Sequence, residues 1–215
     1  MMLFKEGVLK KLYKGQSLLR ILMDLEFRNH TLRGRVVDVG GARTPDYFHY
    51  FKKEGNITVD PIDGTFNKID FEKDALPFTT ESVNTVISAN VLEHIYNYRF
   101  LVQEMHRILT KGGTLVGFVP FLMYYHPDPQ DFFRYTQTSL RRIFEEAGFT
   151  NVTITIVGGG PFFVNFNMTV FSIPPICNAL LFPMYYLLDK IFLWFRPASR
   201  DRYPLGYVFS GKKSM

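Results

Sequence analysis

Short β-branched runs alternate with helix-patterned stretches along most of this chain. That alternation restricts the fold more than any other feature. Arg35–Val39, Asn56–Val59, Ser82–Ser88, Thr114–Val119, Val152–Val157 and Tyr207–Ser210 read as strands. Between them, Glu93–Leu109 reads as largely helical, with Leu101, Met105 and Ile108 on its apolar face, and Lys111-Gly112-Gly113 as its stop. Thr138–Ala147 reads as a helix closed by Gly148, and Thr44-Pro45-Asp46 as a helix start. Strands separated by helices imply an α/β fold: a Rossmann-like, mostly parallel sheet flanked by helices.

The 215 residues are enough to bury a continuous core. Residues 1–35 hold eight Lys/Arg against three Asp/Glu, which matches the net +5 of the whole chain. A basic start with a near-neutral body points to anionic lipid or phosphate, or to a solvated helix face. Within residues 3–27, Phe4, Val8 and Leu12 form one apolar stripe and Leu18, Leu22 and Leu25 a second, broken near Gly15. No RNA-recognition signature or zinc-finger spacing is present, so no nucleic acid is expected. The single cysteine, Cys177, excludes a disulfide within the chain and fits a reducing cytoplasm. No apolar run follows the basic N-terminus, so a signal peptide is not expected.

From Ala147 to Leu188 the chain carries no charged residue, and Pro161–Leu188 is rich in Phe, Leu, Ile and Tyr. Pro174, Pro175 and Pro183 are expected to break any single spanning helix. Strands of one sheet on both sides also exclude one crossing. This hydrophobic helical insertion before the last strand therefore reads as membrane-contacting from one side, or as a soluble cap over the substrate cleft.

Chemistry concentrates at strand ends. Val36-Val37-Asp38-Val39-Gly40-Gly41-Ala42-Arg43-Thr44 is a strand, a turn of small residues and a helix start; glycines let a ligand approach the backbone. Asp60-Pro61 follows 22 residues after Asp38, where a carboxylate can accept from a ribose diol. Asp70 can accept from an exocyclic amine, with Phe71 flanking the base. These residues, with Leu76-Pro77-Phe78, Asn90-Val91-Leu92-Glu93-His94 and the Lys-Gly-Gly of Leu109–Val119, resemble in order the motifs of class I methyltransferases dependent on S-adenosylmethionine (SAM), of the type 11 group. The resemblance covers roughly residues 33–157 and 207–212.

The resemblance implies SAM as cofactor. Val39, Gly40, Gly41 and Ala42 would lie at its methionine part, Asp38 beneath that loop, Asp60 and Pro61 at the ribose, Asp70 and Phe71 at the adenine, and Asn90 and Val91 near the methyl group. Ala42 and Thr44 depart from the family by standing where glycine is usual. The domain reading is then 1–32 as an amphipathic helical region, 33–160 with 203–215 as the SAM-binding domain, and 161–202 as the apolar insertion.

An acceptor site is expected in Tyr124–Thr136, where charged and aromatic groups alternate between prolines. His126, His94 and Asp131 are the catalytic candidates as proton acceptors, and Tyr125, Arg134 and Tyr135 the substrate-binding ones. The alternative reading of Asp131 and Arg134, three apart, is that they pair with each other to shape the loop. No metal cluster is visible in the spacing. The expected reaction is O-methylation of a glycan, glycolipid or lipid-linked acceptor, in the cytoplasm or peripherally on the inner face of the membrane. A small aromatic or quinone-like lipid is the alternative acceptor, and a catalytically silent module binding a membrane or protein is the alternative role. An exposed apolar insertion would also suit a homodimer.

Overall fold

The computed structural model describes residues 7–41, 46–64 and 67–215. The strands β1 (Thr31–Val39), β2 (Lys52–Ile62), β3 (Val83–Ala89), β4 (Leu109–Pro120), β5 (Phe149–Gly158) and β6 (Pro204–Lys213) form one six-stranded sheet in the order β2-β1-β3-β4-β6-β5. The pairs β1/β2, β1/β3 and β3/β4 are parallel. The helices are α1 (Val8–Tyr13), α2 (Leu18–Phe27), α3 (Tyr98–Ile108), α4 (Gln137–Glu146), α5 (Pro161–Thr169) and α6 (Pro175–Phe195). The α/β expectation holds, including an apolar helical insertion before the last strand. Val83, Val86, Ile87 and Ala89 of β3 are all buried, as a central parallel strand covered on both faces requires.

The strands are longer than the apolar runs. β1 starts at Thr31 because Gly34, at φ +54°, carries a register shift between Arg33 and Arg35. The Arg35 N–H donates to Asn84 Oδ1 (2.9 Å). Two arginines and a glycine hid this half of the strand. Lys111-Gly112-Gly113 does not stop α3, which already ends at Ile108. The three residues lie inside β4, where the register against β3 jumps between Leu109 and Thr114, with Gly112 at φ +74°. Residues 92–94 form a short 3-10 turn before α3. The proposed helix start falls partly on Thr44 and Pro45, outside the described residues; Asp46–His49 is a single 3-10 turn. The Thr136 side chain caps α4 by accepting from Ser139 N, and Gly148, at φ +94°, follows its end as expected.

The chain divides into two compact units. One gathers residues 7–26, Phe121–Tyr124 and Ile156–Gly206; the other gathers Phe27–Pro120, Tyr125–Thr155 and Tyr207–Met215. The N-terminal region and the apolar insertion, expected as separate regions, thus share the first unit, where α1 packs on α6 and α6 on α5. Val8, Leu12 and Leu18 are buried as expected, while Leu22 and Leu25 are half-buried and Ile21, Met23 and Asp24 are buried instead. Phe4 lies outside the described residues.

The prolines do not break the insertion. Pro174 and Pro175 sit at the start of α6, where a missing N–H costs nothing, and the helix runs on through Pro183. Asp189, the first charged residue after the charge-free stretch, is buried in α6 and accepts from the backbone N–H groups of Gly160 (2.7 Å), Phe162 (3.1 Å) and Phe163 (3.2 Å). One carboxylate of α6 therefore caps the N-terminus of α5 and locks the two helices together. Asp189→Ala is expected to cost about 2–3 kcal/mol, as loss of hydrogen bonds to a buried charge does. Urea denaturation of the full chain checks this; an unchanged midpoint would show that the cap is dispensable.

Candidate active site

The site begins where β1 ends. The Gly40 N–H donates to Ile62 O (2.7 Å), tying the turn to the end of β2. Gly40 has φ +76°, and a Cβ there would stand 2.4 Å from Val91 Cγ2; at Gly41 it would stand 1.9 Å from Asp38 Oδ2. The turn needs glycine because it closes down on Asp38 and Val91. Asp38 itself is fully buried beneath it. Tyr47 Oη donates to Asp38 Oδ2 (2.6 Å), while Oδ1 has no partner. Burial pushes this carboxyl up to about 7, against the pull of the Tyr47 hydroxyl. Val39 is also fully buried and supports the turn from within.

A cavity of about 540 Å³ opens beyond the carboxyl ends of β1 and β3. Gly40, Asp70, Phe71, Asn90, Val91 and His94 line it, as the motif reading placed them. Asn90 reaches it through a left-handed backbone, φ +56°, with its N–H donating to Phe118 O (2.9 Å). Asp70 accepts from the Glu72 N–H (3.0 Å) and pairs with Lys73 (3.0 Å); these two contacts, the backbone one foremost, hold its carboxyl below the usual range. The Glu72 carboxylate accepts from Tyr96 N and Asn97 N at the entry to α3. Leu76-Pro77-Phe78 is pinned to α3: Glu104 accepts from Leu76 N (2.8 Å), and Arg107 donates to the carbonyls of Leu76 and Phe78.

Asp60 departs from its expected place. Its carboxylate pairs with Arg35 Nε at 2.7 Å, and neither it nor Pro61 lines the cavity. The strand continues to Ile62, so the acidic residue at the cavity is Asp63, followed by Gly64. The misplacement came from ending β2 at Val59. Ala42 lies outside the described residues.

The acceptor loop delivers Asp128, Pro129, Gln130 and Phe132 to the same cavity. It is fastened by the N–H groups of Phe132 and Phe133, which donate to Glu93 O, and by Tyr135 Oη, which donates to Leu92 O (3.0 Å). The Asp131 side chain is nearly inaccessible, gripped at both oxygens by Arg134, and accepts from His126 N (2.9 Å). Arg134 holds its carboxyl down to about 2, so Asp131 is a poor proton acceptor and a structural clamp. Arg134 is correspondingly engaged, and burial pushes the Tyr135 phenol up. Tyr125 is exposed and, like Asp131, Arg134 and Tyr135, does not line the cavity.

His94 does line it, and its Nδ1 bonds Gln130 O. His126 stands behind, its ring edge-on to His94 with centroids 5.0 Å apart. Glu93 is fully buried, 3.8 Å from His94 Nε2, and neither of its oxygens has a hydrogen-bond partner. Burial pushes this carboxyl up to about 8. Glu93 is not legible as a site residue in the sequence, because burial of both its oxygens beside His94 is what sets it apart.

The fold and this turn-and-cavity arrangement define a class I methyltransferase. The family model described as a methyltransferase domain matches residues 12–154, well over half of the chain. No curated protein sequence matches. Among solved structures, the chain is similar to phosphoethanolamine N-methyltransferase 2 of Haemonchus contortus in complex with phosphomonomethylethanolamine and S-adenosylhomocysteine, with 15% identity, 90% of this chain and 52% of that chain covered, and a TM-score of 0.53. It is also similar to the Haloferax volcanii putative methyltransferase solved with its Trm112 activator (15%, 100% and 97%, 0.52) and to a SAM-dependent methyltransferase of Thermotoga maritima (13%, 92% and 92%, 0.51). The chain spans about half the length of the first of these. It belongs to the methyltransferase-domain family, whose cofactor is SAM. The residues fit that cofactor: a cavity of suitable size meets a glycine turn, acidic groups at Asp63 and Asp70, and a buried unpartnered oxygen on Asp38.

Asp63→Ala is expected to weaken SAM binding by about 1–3 kcal/mol, and Asp60→Ala by under about 0.5 kcal/mol. Calorimetric titration of both variants decides; the reverse order would return the ribose role to Asp60. Asp38 binds its proton more tightly folded than unfolded, so its stabilising contribution is complete below pH 3.8 and is lost as pH rises through about 7. Melting of Asp38→Asn against wild type should therefore favour the variant more at pH 8.5 than at pH 5. A difference independent of pH would mean that the carboxyl titrates normally.

Proposed function

We propose that this chain methylates an oxygen of a glycan, glycolipid or lipid-linked acceptor, working peripherally at the cytoplasmic face of a membrane. The observation that carries the reading is one cavity shared by the turn-side residues Gly40, Asp63, Asp70, Phe71 and Asn90 and by the loop-side residues His94, Asp128, Gln130 and Phe132. SAM supplies a methyl group on a sulfonium, already a good leaving group. The chain's task is to hold the acceptor in line, and orientation of this kind supplies roughly 7–11 kcal/mol. An oxygen nucleophile must also shed its proton. His94, the imidazole at the cavity wall with its Nδ1 fixed by Gln130, is the residue through which the acceptor hydroxyl is activated. The charged and amide groups of Asp128 and Gln130 suit a hydroxylated acceptor better than a wholly apolar one.

The membrane part of the reading is supported by α6. Among the described residues it is the one helix long and apolar enough to cross a bilayer. Its flanking strands β5 and β6 are neighbours in one sheet, which favours a helix lying in the interface. Ile176, Leu180, Met184, Leu187, Ile191 and Trp194 recur at steps of three and four and are all exposed. A soluble cap would have buried that stripe. Basic Lys190, Arg196, Arg200 and Arg202 surround its end, suiting anionic headgroups.

Two measurements test this. SAM should bind the full chain in calorimetry, and His94→Gln should lower methyl transfer to a glycolipid acceptor at least about 100-fold; absence of SAM binding at millimolar concentration favours the silent module. The chain should also co-sediment with anionic liposomes, and Leu180→Ser/Leu187→Ser/Ile191→Ser should release it. A stable dimer that ignores liposomes would make a second copy the occupant of this face.

A further inference from the structure

We propose that Glu93, His94 and His126 form a binding site for a divalent transition-metal ion, of the kind zinc represents, at the acceptor end of the cavity. The candidate ligand atoms of these three side chains all lie within 4.8 Å of one another. Ligands about 2.0–2.2 Å from a tetrahedral ion sit roughly 3.3 Å apart, so the two imidazoles turn toward Glu93 to close the set. Both rings are partly exposed, whereas Glu93 is fully buried. Two histidines and one glutamate are a donor set that zinc takes while keeping a coordination position open.

Three independent features of the surroundings support the assignment. First, both Glu93 oxygens are buried without a hydrogen-bond partner, an arrangement that costs free energy unless a cation or donor meets them. Second, His94 Nδ1 faces the carbonyl of Gln130, which fixes the proton on that nitrogen and leaves Nε2 as the lone pair, 3.8 Å from Glu93. Third, His126 Nδ1 lies 3.4 Å from both Asp131 Oδ2 and Arg134 Nη2, contacts that fix the orientation of the ring. Arg134 faces the cluster; its short bonds go to Asp131, which offsets its charge, and its Nη2 also lies 3.4 Å from His126 Nδ1.

An ion held here presents its open position to the cavity that His94 lines. That deepens the acceptor reading above and rests on it for the ion's role: the metal would receive the acceptor oxygen and make its hydroxyl more acidic, the proton leaving to solvent water, and His94 would then act as a ligand in place of a base. Binding itself is tested without an acceptor. The full chain, stripped with EDTA and titrated with zinc ion in a calorimeter, should take one equivalent with micromolar or tighter affinity. His94→Asn, His126→Asn and Glu93→Gln should each weaken it about tenfold or more, and Cys177→Ser should change it less than twofold. Cobalt ion should give visible absorption bands that His94→Asn abolishes. Circular dichroism confirms that each variant folds; where Glu93→Gln does not, the two histidine variants decide. No zinc uptake by wild type at about 100 μM, or uptake indifferent to both histidines, overturns the proposal. SAM titration of the same stripped protein separately decides the methyltransferase reading, so failure of one is distinguishable from failure of the other.

Discussion

A buried carboxylate beneath a glycine turn is the constraint on which the cofactor end of this molecule depends. Asp38 sits at the end of β1 with no exposure, and the backbone of Gly41 lies so close over it that no side chain fits between them. Val91, from the segment after β3, closes the turn from the other side by excluding a Cβ at Gly40. Two strand ends and one turn are thereby locked into a rigid edge. Burying Asp38 without a full set of donors disfavours its charged form, which a cationic ligand over the turn would relieve.

The acceptor end is built by different means. Its loop has no regular structure from Phe121 to Thr136, and specific polar contacts hold it. The Asp131–Arg134 pair stiffens it from within. Phe132, Phe133 and Tyr135 fasten it to the backbone of Leu92 and Glu93, at the exit of β3. Residues that resembled a catalytic set in the linear chain are thus divided. Asp131, Arg134 and Tyr135 shape the loop, whereas His94 lines the cavity beside His126 and Glu93.

The unit holding the apolar helices follows a third logic. Its long charge-free stretch ends at Asp189, whose charge is spent on the N-terminus of α5. Buried amides do similar service: Asn178 Nδ2 donates to Val170 O, and Asn167 Oδ1 accepts from Leu19 N. Asp189 and Asn178 thus anchor one side of α6, while its other side carries a continuous exposed apolar stripe.

By itself the sequence determined the α/β layering, the glycine turn at Asp38–Gly41, the Asp70-Phe71 and Asn90-Val91 wall, and the apolar insertion. Periodicity, turn residues and short-range spacing are local properties, and a parallel sheet brings its strand ends to one edge whatever the loops do. Tertiary structure decided the rest. β2 runs three residues past its apolar run, and this moved the acidic position at the cavity from Asp60 to Asp63. It paired Asp131 with Arg134, and it spent Asp189 on a helix it precedes nowhere in sequence. It also gathered Glu93, His94 and His126 across more than thirty residues of chain. None of these is written in a window of neighbours, because register and burial are set by the partner strand or helix, and a side chain's chemistry by what that packing leaves beside it.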